Sequence, residues 1–412
     1  MLTRRQFLTR LGTVGAVGAA SAAGATGLVA CSDASTSGKA TDVVEFHGEH
    51  QAGILTAQPD QLHFTSFDVT TTDREQLVEL LKTWTQMARR MTRGETAVDG
   101  GADEVSQAQV PGDTGEAYDL SAKNLTITIG FGPSLFDDRF GLKDKKPAEL
   151  NELPHFSGDV TIDEISGGDL CIQACADDPQ VAMHAVRNLT KAGLGIVEVR
   201  WTQMGFGHAS ATTRDQQTPR NLFGFKDGTN NMRAEDTDLV NEHLWVSHTG
   251  TWHDGGTFLI ARRIRMLIEN WDRQVLSDQE ATFGRKKISG APLGRDNEFD
   301  ELPLDEYAGT SGPVVPLTSH ARLASHQENN GARMLRRAYN FAEGTDSYGH
   351  LNAGLFFIAM VASPEKDFIP IQSKLAKSDK MNEYVRYESK SIFAIAPGVK
   401  DENDYFGSGL FA

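Results

Sequence analysis

Three short segments carry side chains suited to chemistry. Gly224-Phe225-Lys226-Asp227-Gly228-Thr229 sets a carboxylate between two glycines, Ser319-His320-Ala321-Arg322-Leu323-Ala324 carries an imidazole, and Met334-Leu335-Arg336-Arg337-Ala338-Tyr339 carries an arginine pair. Glycines permit unusual dihedrals or close backbone approach, so Asp227 is presented on a turn where it can take up and return a proton. A neutral imidazole is a strong nitrogen donor to a metal. A guanidinium keeps its charge and offers a planar fork of donors to negative charge that develops in a reaction. Taken singly, each group also has a plainer reading: a surface Asp-Gly turn, a hydrogen-bonded loop histidine, an arginine that stabilises structure. Zinc and nucleotide chemistry find no support, because the chain has no His-Glu-x-x-His motif, P-loop or complete dinucleotide fingerprint.

The elements that must position these groups follow a pattern that occurs twice. In the first half, residues 62–70 alternate as a strand and 73–92 read as a helix opened by the capping residues at 71–73. Residues 124–130 and 169–176 read as strands, 179–192 as a helix and 195–204 as a strand. The second half repeats the βαββαβ order, with strands at 256–267, 334–341, 354–362 and 391–396 and helices at 271–284 and 364–377. Both third strands end in similar corners, Ala176-Asp177-Asp178-Pro179 and Ala362-Ser363-Pro364-Glu365. Two ferredoxin-like halves of the α+β class, 46–215 and 216–412, account for this order. All three segments fall in the second half. Two lie on long stretches without a regular pattern, 208–235 and 286–333, a length that commonly marks functional loops. A further irregular, acid-rich stretch at 94–119 reads as a surface loop inserted in the first half.

The chain has 412 residues, a formal net charge of −16 and only three cysteines. Its length is ample for a large core. Residues 1–30 hold Arg4, Arg5 and Arg10 and no acid, so the remainder is more acidic still. Such a surface excludes nucleic acid, whose phosphates require clustered Lys and Arg. Cys171 and Cys175 lie four apart on one strand, on the same face but roughly 13 Å apart, too far for a disulfide. They read as small core residues. The N-terminus reads as an export signal: Thr3-Arg4-Arg5-Gln6-Phe7-Leu8 is a twin-arginine pattern, followed by an uncharged Ala/Gly-rich stretch. Leu28-Val29-Ala30-Cys31 then resembles a lipoprotein cleavage box, making Cys31 the lipidated first residue of the exported chain and 31–45 a flexible tether. No other stretch approaches the ~20 apolar residues of a membrane span.

The wording around Asp227, His320 and Arg336 resembles the dye-decolourising peroxidases, especially the branch exported with bacterial iron-uptake systems, over most of residues 45–412. The resemblance implies a dimeric α+β barrel built within one chain and haem b as cofactor. It makes His320 the axial ligand of the haem iron, its second ring nitrogen donating to an acceptor that the sequence does not identify. Asp227 and Arg336 then face the opposite side. There Asp227 shuttles a proton between hydrogen peroxide and the leaving oxygen, and Arg336 stabilises the developing negative charge. Gly228, Thr229 and Asn230 lie against the haem edge and its propionates, and Ser325, His326 and Gln327 touch the haem after the ligand. Two departures are visible. Ala338 stands where some relatives have an Asn beside the peroxide site, and Ser325-His326-Gln327 replaces a common Asn-Pro-Arg, leaving His326 as a donor to a propionate. Arg337 reads as structural. Phe356 and Phe357 read chiefly as core, with one of them available to line the pocket.

The reading is therefore an exported, lipid-anchored haem peroxidase that uses hydrogen peroxide to oxidise an organic electron donor, with iron-uptake proteins and further copies of the chain as partners to test. Two alternatives differ in class: a deferrochelatase that frees iron and leaves the porphyrin intact, and a non-catalytic haem or iron carrier. Retention of both Asp227 and Arg336 favours catalysis, since a carrier needs only a ligand and an apolar slot.

Overall fold

The computed structural model describes residues 42–102 and 106–412. The twin-arginine leader, Cys31 and most of the 31–45 tether lie outside the described residues.

The first half runs β1 (Gln61–Val69), α1 (Arg74–Met91), β2 (Thr126–Phe131), β3 (Leu170–Ala176), α2 (Pro179–Ala192) and β4 (Val197–His208). Both helices start as the sequence predicts. The Asp73 carboxylate accepts from the Glu75 and Gln76 amides, and Asp178 accepts from the Gln180 amide ahead of Pro179. Such caps each contribute about 1 kcal/mol. The 94–119 stretch contains no helix or strand among the described residues, but it is anchored rather than wholly superficial: buried Asp113 meets His184 of α2 at 2.9 Å.

After α3 (Thr237–His243), the second half runs β5 (Thr257–Met266), α4 (Ile268–Trp271), α5 (Leu276–Phe283), α6 (His320–Leu323), β6 (Leu335–Arg336), β7 (Tyr339–Thr345), β8 (Leu351–Val361), α7 (Ile369–Ser378), β9 (Val385–Tyr387) and β10 (Ser391–Ile395), and α8 (Ser408–Phe411) ends the chain. The helix predicted over 271–284 is broken. Trp271 is buried against Phe223 and Tyr384, and the chain leaves the helix at Asp272 to restart at Leu276. The helix predicted over 364–377 begins as a π-helical turn, Pro364–Phe368. The strand predicted over 334–341 is split in name only. Leu335 pairs with Met360 and Tyr339 with Phe356, one continuous register against β8.

Each half is a four-stranded antiparallel sheet, ordered β4-β1-β3-β2 and β7-β8-β5-β10. The halves join edge to edge, through β2–β10 and β4–β7, so eight strands close into a barrel. Closure removes the exposed edges of both sheets. Alternation sorts the side chains. Phe356, Ile358 and Met360 of β8, Leu259 and Ala261 of β5, and both Cys171 and Cys175 of β3 fill the barrel interior. The opposite faces of β2 and β3 pack under α1 and α2 through Ile127, Ile129, Ile172, Leu81, Trp84 and Leu189. Strands buried on both faces read as nearly continuous apolar runs.

Candidate functional site

The second half differs from the first in what lies between sheet and helices. In place of a filled core there is a cleft of about 1430 Å³, its open mouth included. One wall is the outer face of the sheet, with Ile264 and Met266 of β5, Leu355 and Phe357 of β8, and Val385 and Tyr387 of β9. The facing wall comes from α6, α7 and Phe283 of α5. The broad apolar lining suits a large planar ligand. Phe356 and Phe357 divide as strand alternation requires, Phe356 into the barrel and Phe357 into the cleft.

His320 opens α6 after buried Ser319, whose hydroxyl donates to the Pro316 carbonyl at 2.8 Å. Its Nδ1 lies 2.6 Å from an oxygen of Asp379. Asp379 is the acceptor that the sequence left unidentified. It stands where α7 ends, its second oxygen accepting from the Met381 amide at 2.9 Å. The Lys380 amide donates to the Thr318 carbonyl at 3.0 Å, tying the two segments together backbone to backbone. With Nδ1–H donated to Asp379, the Nε2 lone pair faces the cleft. Burial disfavours charge on His320, but the charge and hydrogen bond of Asp379, with a smaller contribution from Asp227, outweigh it and hold the pKa above the ordinary histidine value.

Asp227 and Arg336 meet on the lining of the cleft. Arg336 Nη1 donates to Asp227 Oδ1 at 2.7 Å, Asn221 Nδ2 donates to Oδ2 at 3.1 Å, and the Asp227 amide donates to the Pro219 carbonyl. Gly228 has φ +89°, and a Cβ there would come within 3.1 Å of Ser210 Cα, so the turn depends on glycine at this position. Asn231, one residue beyond the predicted contacts, clamps the main chain of Arg336. Its Oδ1 accepts from the Arg336 amide at 2.7 Å and its Nδ2 donates to the Arg336 carbonyl at 2.9 Å. Arg337, on the opposite face, is fully buried, and its guanidinium donates to the Thr56 carbonyl at 2.6 Å. Ala338 is buried and offers no side-chain donor to the cleft.

Of the residues singled out in the sequence, Asp227, Gly228, Thr229, Asn230, His320, Ser325, His326 and Arg336 line this one cleft. Ser325 lines it with its hydroxyl turned back to the Arg322 carbonyl. Gln327 does not line it: it begins the 3-10 turn Gln327–Asn329, which carries its side chain to solvent. The groups present fit a haem. His320 Nε2 is the free donor an iron requires, the walls are apolar, and Arg333 and His326 at the edge suit a pair of propionates. His326 Nδ1 is buried without a hydrogen-bond partner, an orphan that such a ligand would satisfy.

Comparison with known proteins points to one family. The family models for the N-terminal and C-terminal parts of Dyp-type peroxidases match residues 51–207 and 218–400. The chain is 35% identical over 419 residues to a deferrochelatase of Yersinia pseudotuberculosis serotype I, spanning 99% of this chain and 94% of that protein. It is 38% identical over 376 residues to a deferrochelatase of Escherichia coli K12, spanning 89% and 86%. Among solved structures it resembles ferric DtpA of Streptomyces lividans, with a TM-score of 0.81, 35% identity and coverage of 90% and 97%.

Proposed function

The chain belongs to the Dyp-type peroxidase family and is a haem-dependent peroxidase acting on hydrogen peroxide and an organic electron donor, and on that premise we propose how its residues divide the work. His320 would hold the haem iron through Nε2, and Asp227 and Arg336 would handle the peroxide. The observation that supports this division is that a histidine backed by Asp379 and a hydrogen-bonded carboxylate–guanidinium pair line one cleft.

When bound, the haem supplies the iron at which the peroxide O–O bond breaks and the oxidising equivalents are stored. Asp379 fixes the His320 tautomer and, by accepting the Nδ1 proton, makes Nε2 a stronger donor. Asp227 takes a proton from hydrogen peroxide and delivers it to the departing oxygen, so that oxygen leaves as water. Arg336 stabilises the negative charge that develops between these two transfers. Asn221 and Asn231 keep the pair in place, one through the carboxylate and one through the arginine backbone. The apolar walls exclude water, which strengthens each of these interactions. Arg333 and His326 would offer donors to the propionates, and Gly228, Thr229 and Asn230 would lie along the haem edge.

A second reading, release of iron from haem with the macrocycle intact, is favoured by the function named for the Yersinia and Escherichia relatives. Product analysis separates the two. Purified protein given haem, peroxide and a phenolic or dye donor should yield oxidised donor with the haem retained. Free iron with intact protoporphyrin, and no donor oxidation, would make iron release the function.

The same reading places the protein outside the cytoplasm, exported by the twin-arginine route and held at the membrane by lipid on Cys31. The supporting features are Arg4-Arg5 and the Leu28-Val29-Ala30-Cys31 box. Cys31→Ser should move the protein from the membrane fraction to the soluble extracytoplasmic fraction, because an acidic body adds no attraction to anionic lipid once the acyl chains are gone. Membrane retention of the variant would point to an uncleaved signal anchor.

A further inference from the structure

We propose that Glu298 is a positioning residue for Asp227: its carboxylate latches both sides of the Asp227 turn and closes the haem cleft from a neighbouring surface cleft. The inference rests on the role given to Asp227 above.

Glu298 belongs to the long 286–333 stretch, remote in sequence from the turn, and only 10% of its side chain is accessible. One oxygen accepts from Lys226 Nζ, and the other accepts from Thr229 Oγ1 at 3.1 Å. Lys226 immediately precedes Asp227 and Thr229 follows it by two, so a single carboxylate fixes the turn from both sides. Burial opposes the charged form of Glu298, but Lys226, by hydrogen bond and charge, together with the hydroxyls of Thr218 and Thr229, outweighs it and holds the carboxyl below its usual range. The Glu298 carbonyl accepts from Arg285 Nη1 at 2.9 Å, and Arg285 itself lines the haem cleft. The latch is closely packed: a Cβ on Gly290 would lie 2.8 Å from Lys226 Cδ.

Two features make this more than a stabilising ion pair. A largely buried pair is weak evidence for stability, because desolvation offsets much of its attraction. Moreover, Lys226 and Thr229 line both the haem cleft and a separate surface cleft whose wall includes Glu298, Arg233 and Phe299. The latch is therefore the partition between them. Releasing it would loosen the turn that carries Asp227 and let water reach the peroxide side. A misplacement of about 1 Å costs on the order of 100-fold in a positioned reaction.

The test uses Glu298→Ala, Glu298→Gln and the double variant Lys226→Gln/Glu298→Gln. Gln at 298 keeps the shape and one acceptor for Lys226 but removes the charge that pairs with the ammonium, whereas in the double variant two amides can hydrogen-bond to each other with no charge left unpaired. Hydrogen–deuterium exchange on the haem-free protein reads the turn directly. Residues 224–231 should exchange faster in both single variants, while the barrel strands keep their protection. In the haem-loaded proteins the second-order rate with peroxide should fall about 10- to 100-fold, with KM for the donor unchanged, and the double variant should recover part of that rate. Unchanged exchange at 224–231, or loss of protection spread evenly through the barrel, would overturn the latch. Faster exchange with a parental peroxide rate would also overturn it, provided Asp227→Asn is itself slow. If Asp227→Asn is at the parental rate, it is the role of Asp227 that fails.

Discussion

Replacing His320 with Ala is expected to leave a folded barrel that no longer ligates haem iron through a protein nitrogen. The barrel core does not use this side chain. Its interior is filled by residues such as Phe356, Leu259 and Cys171, and His320 sits on a four-residue helix outside it. What is lost is the donor and the use of Asp379, which would be left buried with one oxygen unpaired, a cost of about 1–3 kcal/mol. Removing only the supporting partner of a metal-bound histidine typically costs ~10- to 100-fold in affinity or activity, so loss of the ligand should exceed that range in peroxidase rate. Haem could stay in the slot through its apolar walls and edge contacts. The measurement is therefore the ferric absorption and electron paramagnetic resonance spectrum, with exogenous imidazole added to restore the nitrogen. A variant whose spectrum matches the parent would show that the iron is held elsewhere.

Arg336→Leu and Asp227→Asn should both retain haem and both react slowly with hydrogen peroxide. Leu removes the charge that faces the departing oxygen, a loss of ~100- to 1,000-fold for one such donor. Asn cannot carry a proton, for which ~100- to 10,000-fold is usual. The two side chains are hydrogen-bonded to each other at 2.7 Å, so each substitution also disturbs its partner and the double variant should be slower by less than the product of the two effects. Arg336→Leu is the stronger bet, because Asn221 and the main-chain bond to Pro219 still hold the turn when Asp227 becomes Asn. Stopped-flow absorption at several peroxide concentrations isolates this step from donor oxidation. Parental rates in both variants would remove the pair from the reaction and leave the carrier reading in its place.

The frame of the site was legible because its signals are local. Strand alternation, the caps at Asp73 and Asp178 and the repeated βαββαβ order depend on neighbours in sequence, whereas the closure into one barrel rests on pairings between the halves and was implied only by the family resemblance. The break between α4 and α5 was not legible, because it follows from burying Trp271 against Phe223 and Tyr384, distant in sequence. Site residues divide in the same way. Asp227, His320 and Arg336 stand in recognisable local wording, whereas Asp379 lies 59 positions from the histidine it serves. Its only local mark is an aspartate at a helix end. Asn231 was one residue beyond the predicted contacts, and its value lies in a tertiary contact with the Arg336 backbone. Gln327 shows the converse, since the family resemblance brought its segment to the haem and a 3-10 turn directs its side chain to solvent.

The central claim is that one cleft holds haem between His320 on one face and the Asp227–Arg336 pair on the other. A crystal structure of the haem-loaded protein tests it most directly. The account predicts iron bonded to His320 Nε2, with Nδ1 still on Asp379, and Asp227 and Arg336 facing the opposite side of the macrocycle, Phe357 and Leu355 along its wall. Iron ligated by any other residue, or Asp227 and Arg336 on the same face as His320, would contradict it.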